Sequence, residues 1–362
     1  MGRAHLDLTV SNPTRAGIPY DRAALARAMT PDAALVYEPE AFGLDVARSA
    51  VAALWRSRGI AVDPSRVAMT ASTSEAYSFL FKLLCDPGDA ILVPRPSYPL
   101  FEHLARYEGV DAVPYGLDYD GAWHVDVGRV KALVTGRTRA VVVVSPNNPT
   151  SSYLKRDELR ELATLGLPIV SDEVFGYYSL GDDPRRATSA LEADGALVFA
   201  LDGLSKLAAL PQMKLAWITV GGPPELTVPA LSGLEHLCDA FLSPAAPVQH
   251  ALPALLEQSA ASREAILRRA RANRDTLVRL SGGTPVTALH IEGGWYAVLK
   301  LPSLQSEEAW VLELLEERDV LVQPGWFYDF ESEPYLVLSL LTPEADFRQG
   351  VQRIVDHSAS LR

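Results

Sequence analysis

The chain has 362 residues, of which 48% are hydrophobic and 22% charged, as in an ordinary globular protein large enough for two domains. Its formal net charge of −12 argues against nucleic acid or an acidic membrane surface as the main partner, because both select basic patches. There is no apolar run of membrane-spanning length, no signal-peptide pattern, and only two cysteines, Cys85 and Cys238. We therefore expect a cytoplasmic protein with free thiols.

The predicted elements fall into three parts. Residues 1–40 hold prolines, turn formers and one short helix at 21–29, and are expected to form an arm packed on the C-terminal domain. Residues 41–245 alternate short Val, Ile and Leu runs with helix-length amphipathic stretches. The predicted strands are 67–70, 90–93, 140–144, 168–170, 196–201 and 215–220, and the predicted helices include 74–85, 98–107 and 155–165. This pattern predicts an α/β domain with a mainly parallel sheet flanked by helices.

The composition changes after Ser243. Residues 244–279 are nearly all helix formers, and Gly282-Gly283 ends that stretch. Strand-like runs at 295–301 and 336–341 then surround a predicted helix at 306–318, before a short final helix. We expect an interdomain helix and a small α+β domain within residues 246–362.

Polar residues follow the ends of successive predicted strands. Ligands of parallel sheets bind at the carboxyl ends of strands, so these residues point to one pocket. They are Ser72-Thr73-Ser74, Ser97-Tyr98, Asn147-Asn148, Asp172 and Lys206.

Each of these residues also has an ordinary structural interpretation. Ser72 with Glu75 reads as a helix capping box, Asp172 as a helix cap, and Asn147-Asn148 as a turn. The functional interpretation starts from Lys206, since a lysine amine that has lost its proton can form an imine with an aldehyde cofactor. A buried carboxylate such as Asp172 would then keep a ring nitrogen of that cofactor protonated. The residues alone leave both interpretations open.

In the order in which these residues and motifs follow one another, the chain resembles the class I/II aminotransferases, which are pyridoxal-phosphate enzymes of fold type I. The resemblance covers almost the whole chain and keeps the family's order and approximate spacing. The matching positions are Tyr37 with Gly43, 72–75, 96–99, 147–150, Asp172-Glu173, Ser205-Lys206 and Pro324-Gly325.

The resemblance implies a role for each residue around the cofactor ring. Lys206 would form the internal aldimine and then move a proton between the substrate α-carbon and the cofactor C4′. Asp172 would pair with the pyridinium nitrogen and keep the ring an electron sink. Asn148 would donate to the phenolic oxygen, and Tyr98 would stack on the ring face.

The resemblance also implies how the phosphate is held. Ser72, Thr73 and Ser74 would bind it at a helix N-terminus, together with Lys214. Tyr37 would reach the phosphate of the neighbouring subunit, or else be a core aromatic. The implied protein is a homodimer with shared sites and no metal, which passes an amino group from a donor, expected to be an amino acid, to a 2-oxo acid by ping-pong chemistry.

Four positions depart from the family pattern. Phe175 stands where a tyrosine usually bonds the ring phenolate, and the sequence leaves open whether Tyr177 or Tyr178 replaces it. Gly203 stands where a phosphate-binding hydroxyl is common. Lys214 replaces a bidentate arginine with a point charge.

The fourth departure, Val337, concerns the substrate. Many family members carry there an arginine that clamps the substrate carboxylate, and valine cannot do so. Asn12 and Arg15 are the candidate substitutes. The missing clamp keeps open other pyridoxal-phosphate chemistry, such as a decarboxylase, lyase or racemase. A non-catalytic effector domain is the remaining rival.

Overall fold

The computed structural model describes residues 5–332 and 334–361. In chain order, its strands are β1 Leu6–Asp7, β2 Val67–Thr70, β3 Ala90–Arg95, β4 Asp111–Tyr119, β5 Trp123–Val125, β6 Thr138–Val144, β7 Ile169–Asp172, β8 Val198–Gly203, β9 Ala216–Gly221, β10 Thr287–Ala288, β11 Tyr296–Lys300, β12 Val320–Leu321, β13 Gln323–Pro324 and β14 Tyr335–Ser339.

The helices alternate with these strands in the first part of the chain and dominate the second. They are α1 Arg22–Ala28, α2 Asp45–Ser57, α3 Thr73–Leu84, α4 Phe101–Tyr107, α5 Val127–Ala132, α6 Arg156–Ala163, α7 Leu204–Leu207, α8 Pro224–Phe241, α9 Ala246–Gln258, α10 Ala260–Ser281, α11 Glu307–Arg318 and α12 Glu344–Ser360. Within the described residues, none of these helices combines the length and the apolar character needed to cross a bilayer.

An eight-stranded sheet in the order β2-β9-β8-β7-β6-β3-β4-β5 forms the larger layer. The central pairs β3–β4, β3–β6, β6–β7 and β7–β8 are parallel, so the prediction of a mainly parallel sheet is confirmed. Strand β9 runs antiparallel to β8 because their connection carries only the one-turn helix α7 and a short 3-10 turn. Such a connection returns the chain beside the strand that it left, without a crossover over the sheet.

The continuous aliphatic runs of the central strands pack into two hydrophobic cores, one on each face of the large sheet. Val142 of β6 packs into the core that contains α3, whereas Val141 and Val143 pack into the core on the opposite face. Successive side chains of a strand point to opposite faces, so a strand covered on both sides needs apolar residues at every position.

The smaller layer is an antiparallel sheet in the order β10-β11-β14-β13. Helices α10, α11 and α12 supply its apolar cover, with Trp310 and Phe347 among the fully buried side chains. The arm joins this layer: β1 pairs in parallel with β12, and the Ser339 amide donates to the Leu8 carbonyl at 2.7 Å. We retain the boundaries 1–40, 41–245 and 246–362 as a proposal.

Several element boundaries differ from those predicted. Strands β4 and β5 were not predicted, because most of their side chains are part-buried and they mix polar with apolar residues instead of forming a continuous aliphatic run. Helix α4 begins at Phe101 rather than residue 98, since Pro99 disfavours helical geometry in the residue before it. The predicted helix at 244–279 consists of α9 and α10. The two are separated at Ser259, whose hydroxyl donates to the Leu256 carbonyl at 2.8 Å.

Candidate active site

The strand register brings the predicted site residues to one edge of the large sheet. Strand ends align along that edge as Thr70 opposite Ala216, Ala216 opposite Gly203, Leu201 opposite Asp172, and Asp172 opposite Val144. The segments that follow β2, β6, β7 and β8 therefore open on the same side. They carry Ser72, Asn148, Asp172 and Lys206.

Lys206 lies in α7, directly after β8, with its amine against aromatic rings. The Nζ atom is 5.5 Å from the ring centroid of Phe175 and 5.3 Å from that of Trp295. The Tyr178 hydroxyl fixes the backbone by donating to the Lys206 carbonyl at 2.6 Å. Desolvation in this apolar wall lowers the pKa of the amine, and the charge of Asp172 partly opposes that shift. The environment therefore favours the neutral amine that imine formation needs.

Asp172 ends β7 and accepts two hydrogen bonds. Its Oδ1 accepts from the Val174 amide and its Oδ2 from the Tyr77 hydroxyl, both at 3.2 Å. Burial raises the pKa of this carboxyl to about 6, while both hydrogen bonds and the Lys206 ammonium act in the opposite direction. The carboxyl of Asp172 and the amine of Lys206 each act on the other's pKa, so the two groups belong to one site.

Tyr77 was not predicted as a site residue. It lies one helical turn after Thr73 on α3, so it projects from the same side of that helix. This spacing could have revealed it, but a buried tyrosine in an amphipathic helix is more often only a core residue.

The N-terminus of α3 forms a cradle in which Ser72 caps the helix, as the sequence predicted. The predicted capping box is incomplete, because the Glu75 side chain accepts from the amide before the cap and not from that of Ser72. Ser72 Oγ accepts from the Glu75 amide at 3.2 Å, and Glu75 Oε2 accepts from the Ala71 amide at 2.6 Å. The Ser72 side chain is thus engaged as the cap. The amides of Thr73 and Ser74 find no acceptor among the described residues, so they are available to an anion.

Lys214 lies near this cradle without contacting it. It is exposed, has a left-handed backbone (φ 50°) and directly precedes the run that becomes β9. Both Lys214 and Ser72 are two residues beyond the paired positions Ala216 and Thr70, which places them at the same edge. The positive charge of Lys214 can therefore add to the electrostatic potential that attracts an anion to the N-terminus of α3.

Gly203 departs from the family pattern for a steric reason. A Cβ atom built there would lie 2.8 Å from the Cβ of Ala216 and 2.9 Å from the Leu215 carbonyl oxygen. Strand β9 approaches too closely for any side chain, so a hydroxyl cannot be placed at this position.

The two asparagines after β6 play different parts. Asn147 is fully engaged in the fold: its Nδ2 donates to the Pro96 carbonyl at 3.0 Å, and its Oδ1 accepts from the Ser97 hydroxyl at 3.1 Å. Asn148 is only 9% exposed, and its Oδ1 has no hydrogen-bond partner among the described residues. Of the pair, Asn148 is the one with free capacity for a ligand.

Tyr98 borders the pocket and a surface cleft. Its side chain is 46% exposed and lines that cleft together with Trp326 and Phe327. The preceding Ser97 amide donates to the Tyr328 carbonyl at 3.0 Å, which ties the turn after β3 to the segment after β13. The ring is thus placed at the mouth of the site rather than in the core.

Tyr37, Asn12 and Arg15 are not brought into the pocket by a single chain. Tyr37 is 79% exposed, so it is not a core aromatic. Asn12 forms a turn, with its Oδ1 accepting from the Thr14 amide at 3.0 Å. Arg15 is exposed, and its side chain makes no hydrogen bond or ion pair with the described residues.

Val337 faces an apolar wall. It pairs with Val298 and Gln323 in the small sheet and belongs to the same buried cluster as Phe175 and Trp295. Sequence reasoning missed Trp295 and the adjacent Tyr296, although the Gly293-Gly294 pair before this apolar run was a signal of close backbone approach.

The donor set fits pyridoxal phosphate. An amine with lowered pKa, a carboxylate held by Tyr77, and the side-chain amide of Asn148, whose Nδ2 can donate a hydrogen bond, lie at one edge of the large sheet beside helix-terminal amides. Those groups match an aldehyde, a ring nitrogen, a phenolic oxygen and a phosphate, in that order.

Comparison with known proteins gives a consistent result. A sequence model of the family described as "Aminotransferase class I and II" matches residues 10–354. The glutamate-pyruvate aminotransferase AlaA of Haemophilus influenzae is 27% identical over 324 residues, which cover 86% of this chain and 80% of that protein. The S-alkyl-thiohydroximate lyase SUR1 of Arabidopsis thaliana is 31% identical over 202 residues, covering 54% and 44%. The solved alanine aminotransferase of Pyrococcus furiosus superposes with a TM-score of 0.88 at 23% identity, covering 99% of this chain and 93% of that one.

We expect Gly203→Ser to destabilise the protein, because the new Cβ would collide with the backbone of the neighbouring strand. Overpacking of this kind costs roughly 1–3 kcal/mol. Gly136→Ser is the matched control, since a Cβ there meets nothing within 4 Å. Urea denaturation of both variants measures the difference, and equal stability would contradict the steric account.

We expect Asp172→Asn to stabilise the cofactor-free protein at pH 8. The folded pKa of about 6 lies above the unfolded value of ~3.9, so the folded state penalises the charged carboxylate above pH 6. A difference of two pKa units corresponds to an increase in the free energy of unfolding on the order of 1–3 kcal/mol. This increase becomes smaller as the pH falls from about 6 towards 4.

Denaturation curves between pH 8 and pH 4.5 measure that gain. Asp194→Asn, at an exposed aspartate, is the control and should change stability little at any pH. A gain for Asp172→Asn that is independent of pH would show that carboxylate burial is not its cause.

Proposed function

This chain belongs to the class I and II aminotransferase family, and we propose that it moves an amino group from an amino acid to a 2-oxo acid in two half-reactions at one site. That it is a pyridoxal-phosphate-dependent aminotransferase follows from its family and relatives. The observation that carries the proposal is the placement of Lys206 and Asp172 at one edge of the large sheet, where Asp172 ends β7 opposite Leu201 of β8 and Lys206 lies in α7 directly after β8.

The proposed chemistry divides between the cofactor and the chain. When bound, pyridoxal phosphate supplies an aldehyde for the amine and a ring that withdraws electrons. Lys206 would anchor that aldehyde, and its freed amine would hold or release the proton at the substrate α-carbon. The low-polarity wall of Phe175 and Trp295 supports this role, because it keeps the pKa of the amine below its usual range.

Asp172 and Asn148 would hold the two polar edges of the ring. The Asp172 carboxylate is oriented by Tyr77 and by the Val174 amide, so it presents a fixed negative charge to the ring nitrogen. Asn148 would donate to the phenolic oxygen. Tyr98 would cover one ring face at the mouth of the pocket.

We propose that Ser72, Thr73, Ser74 and Lys214 form the phosphate site. The unpaired amides of Thr73 and Ser74 support this, since the N-terminus of an α-helix attracts anions. Lys214 adds a point charge rather than a two-pronged contact. Phosphate affinity would therefore depend more on ionic strength than it does with a bidentate arginine.

For the substrate, we propose glutamate as donor and pyruvate as acceptor, following the name of the Haemophilus influenzae relative. Val337 is buried among apolar side chains and does not bind a carboxylate. Asn12 and Arg15 remain the proposed carboxylate contacts. The exposed Arg15 guanidinium, with no partner in the described part of the chain, is free for that role.

Lyase, decarboxylase or racemase chemistry is the alternative and is not favoured. The relative named as a lyase aligns with 54% of the chain, whereas the named aminotransferase aligns with 86%. The apolar surroundings of Val337 are compatible with either chemistry. Transamination and these alternative reactions can be distinguished by whether the bound cofactor is left in its aminated form.

We expect glutamate, added without an acceptor, to convert the bound cofactor to its stable aminated form. The visible absorbance of the lysine-bound cofactor should disappear and return on addition of pyruvate, and double-reciprocal plots should be parallel. Lys206→Ala should lack both the absorbance and turnover. Lys131→Ala, at an exposed lysine, should behave as the parent protein does. Product release with retained absorbance would instead indicate lyase or decarboxylase chemistry.

We also propose a homodimer in which Tyr37 of one subunit completes the other subunit's phosphate site. The stretch Leu35, Val36 and Tyr37 supports this, because the three side chains are 89%, 56% and 79% exposed. A consecutive run of large exposed apolar residues is typical of an interface.

The shared site predicts complementation. Tyr37→Ala should weaken cofactor binding, and Lys206→Ala should be inactive. A mixture refolded together should regain about a quarter of the parent activity, since random pairing gives mixed dimers with one intact site. A monomer by light scattering, or no recovery in the mixture, would contradict the proposal.

A further inference from the structure

The turn that leads into α3 leaves more amides free than a capping box would. In a capping box, the glutamate at the third helical position accepts from the amide of the cap residue. Glu75 Oε2 accepts instead from the Ala71 amide at 2.6 Å, so the Ser72 amide has no acceptor among the described residues. With the amides of Thr73 and Ser74, this gives three consecutive donors at the helix N-terminus.

The Glu75 carboxylate is held on its other side by a residue that is distant in sequence. Ser243 lies in the connection between α8 and α9. Its Oγ is 2.8 Å from both Oε1 and Oε2 of Glu75, so the hydroxyl donates to the carboxylate. Both oxygens of Glu75 therefore have partners, and the side chain joins the turn to this connection.

The connection that carries Ser243 is itself fixed by Gln249 of α9. Gln249 is 5% exposed, and its Nε2 donates to the Pro244 carbonyl at 2.7 Å. Its Oε1 accepts from the Leu44 amide, also at 2.7 Å. Ser243 thus holds Glu75 from a hydrogen-bonded part of the fold rather than from a free loop.

A second side chain holds the turn from the sheet. Thr70, the fully buried last residue of β2, donates from Oγ1 to the Ser72 carbonyl at 3.1 Å. That carbonyl shares its peptide plane with the Thr73 amide, so the bond also orients this donor. The peptide that carries the Ser72 amide lies between the two peptides that Glu75 and Thr70 hold. The free amides are therefore oriented before an anion binds, which lowers the entropic cost of binding.

The negative charge of Glu75 does not recruit a phosphate, because like charges repel. Its contribution to an anion site must come through the hydrogen bonds that it accepts. A residue that only stabilised α3 would affect all ligands of the pocket equally. A residue that orients the free amides would affect the phosphate group in particular.

We propose that Glu75 is a positioning residue for the cofactor phosphate. Anchored by Ser243, it holds the Ala71 amide and keeps the three amides that follow aligned for one anion. The inference rests on the proposed phosphate site and deepens it, because it assigns part of the phosphate affinity to a pair of residues beside that site.

The test compares pyridoxal phosphate with pyridoxal, which lacks the phosphate, in absorbance titrations of the cofactor-free protein. Both ligands can form the imine with Lys206, so the ratio of their dissociation constants reports the phosphate contacts. Glu75→Ala should lower the preference for pyridoxal phosphate about tenfold, the effect of losing roughly one hydrogen bond to a charged group. Glu75→Gln should keep or exceed the parent preference, because its oxygen can accept from Ala71 and its Nε2 can donate to Ser243.

A double-mutant cycle shows whether Ser243 acts through Glu75. Ser243→Ala should lower the preference about threefold in the parent protein and should have no further effect in Glu75→Ala. Glu225→Ala is the matched control, since Glu225 is an exposed glutamate in the first turn of α8. Its preference should equal that of the parent protein.

Two results would overturn the inference. One is an equal weakening of both ligands in Glu75→Ala, or in Ser243→Ala if the first variant does not fold. The other is a loss of preference in Glu75→Gln as large as that in Glu75→Ala, which would assign the effect to charge. A parent protein without any preference for pyridoxal phosphate would contradict the proposed phosphate site itself, so the two failures are distinguishable.

Discussion

The mutual influence of the Lys206 amine and the Asp172 carboxyl, which are both buried at one edge of the large sheet, is the interaction on which the site depends. Both groups are withdrawn from water, which lowers the pKa of the amine and raises that of the acid. Each charge partly offsets the desolvation of the other. The parallel register of β7 and β8 places Asp172 and the start of α7, which carries Lys206, at the same edge, so the chemistry of the site is a direct consequence of strand pairing in the large sheet.

The surroundings of this pair come from elements that are distant in sequence. Helix α3 supplies Tyr77 to the acid, and the small sheet supplies Trp295 to the amine. The segment after β13 closes over the turn before Tyr98 through the Ser97–Tyr328 bond. Contributions from both sheets mean that the pocket exists only when the two layers pack together.

The sequence predicted the large, mainly parallel sheet, because aliphatic strands covered on both faces show a continuous pattern of Val and Ile. It could not predict Trp295 or Tyr77, since each reaches the site from another element and its own local pattern is that of a core residue. The same limit applies to Gly203: the family pattern marks it as a missing hydroxyl, whereas the approach of β9 that excludes one is visible only in three dimensions. Strands β4 and β5, whose side chains are mostly part-buried, were missed because they lack a continuous aliphatic run.

The short connection between β8 and β9 has a further consequence. It carries both Lys206 and Lys214, and its two ends are clamped by antiparallel pairing of Gly203 with Ala216. One insertion or deletion there would displace both cations at once, whereas most surface loops absorb such changes locally. We therefore expect insertions and deletions to be excluded from the connection between Gly203 and Ala216, because its length fixes the positions of both lysines.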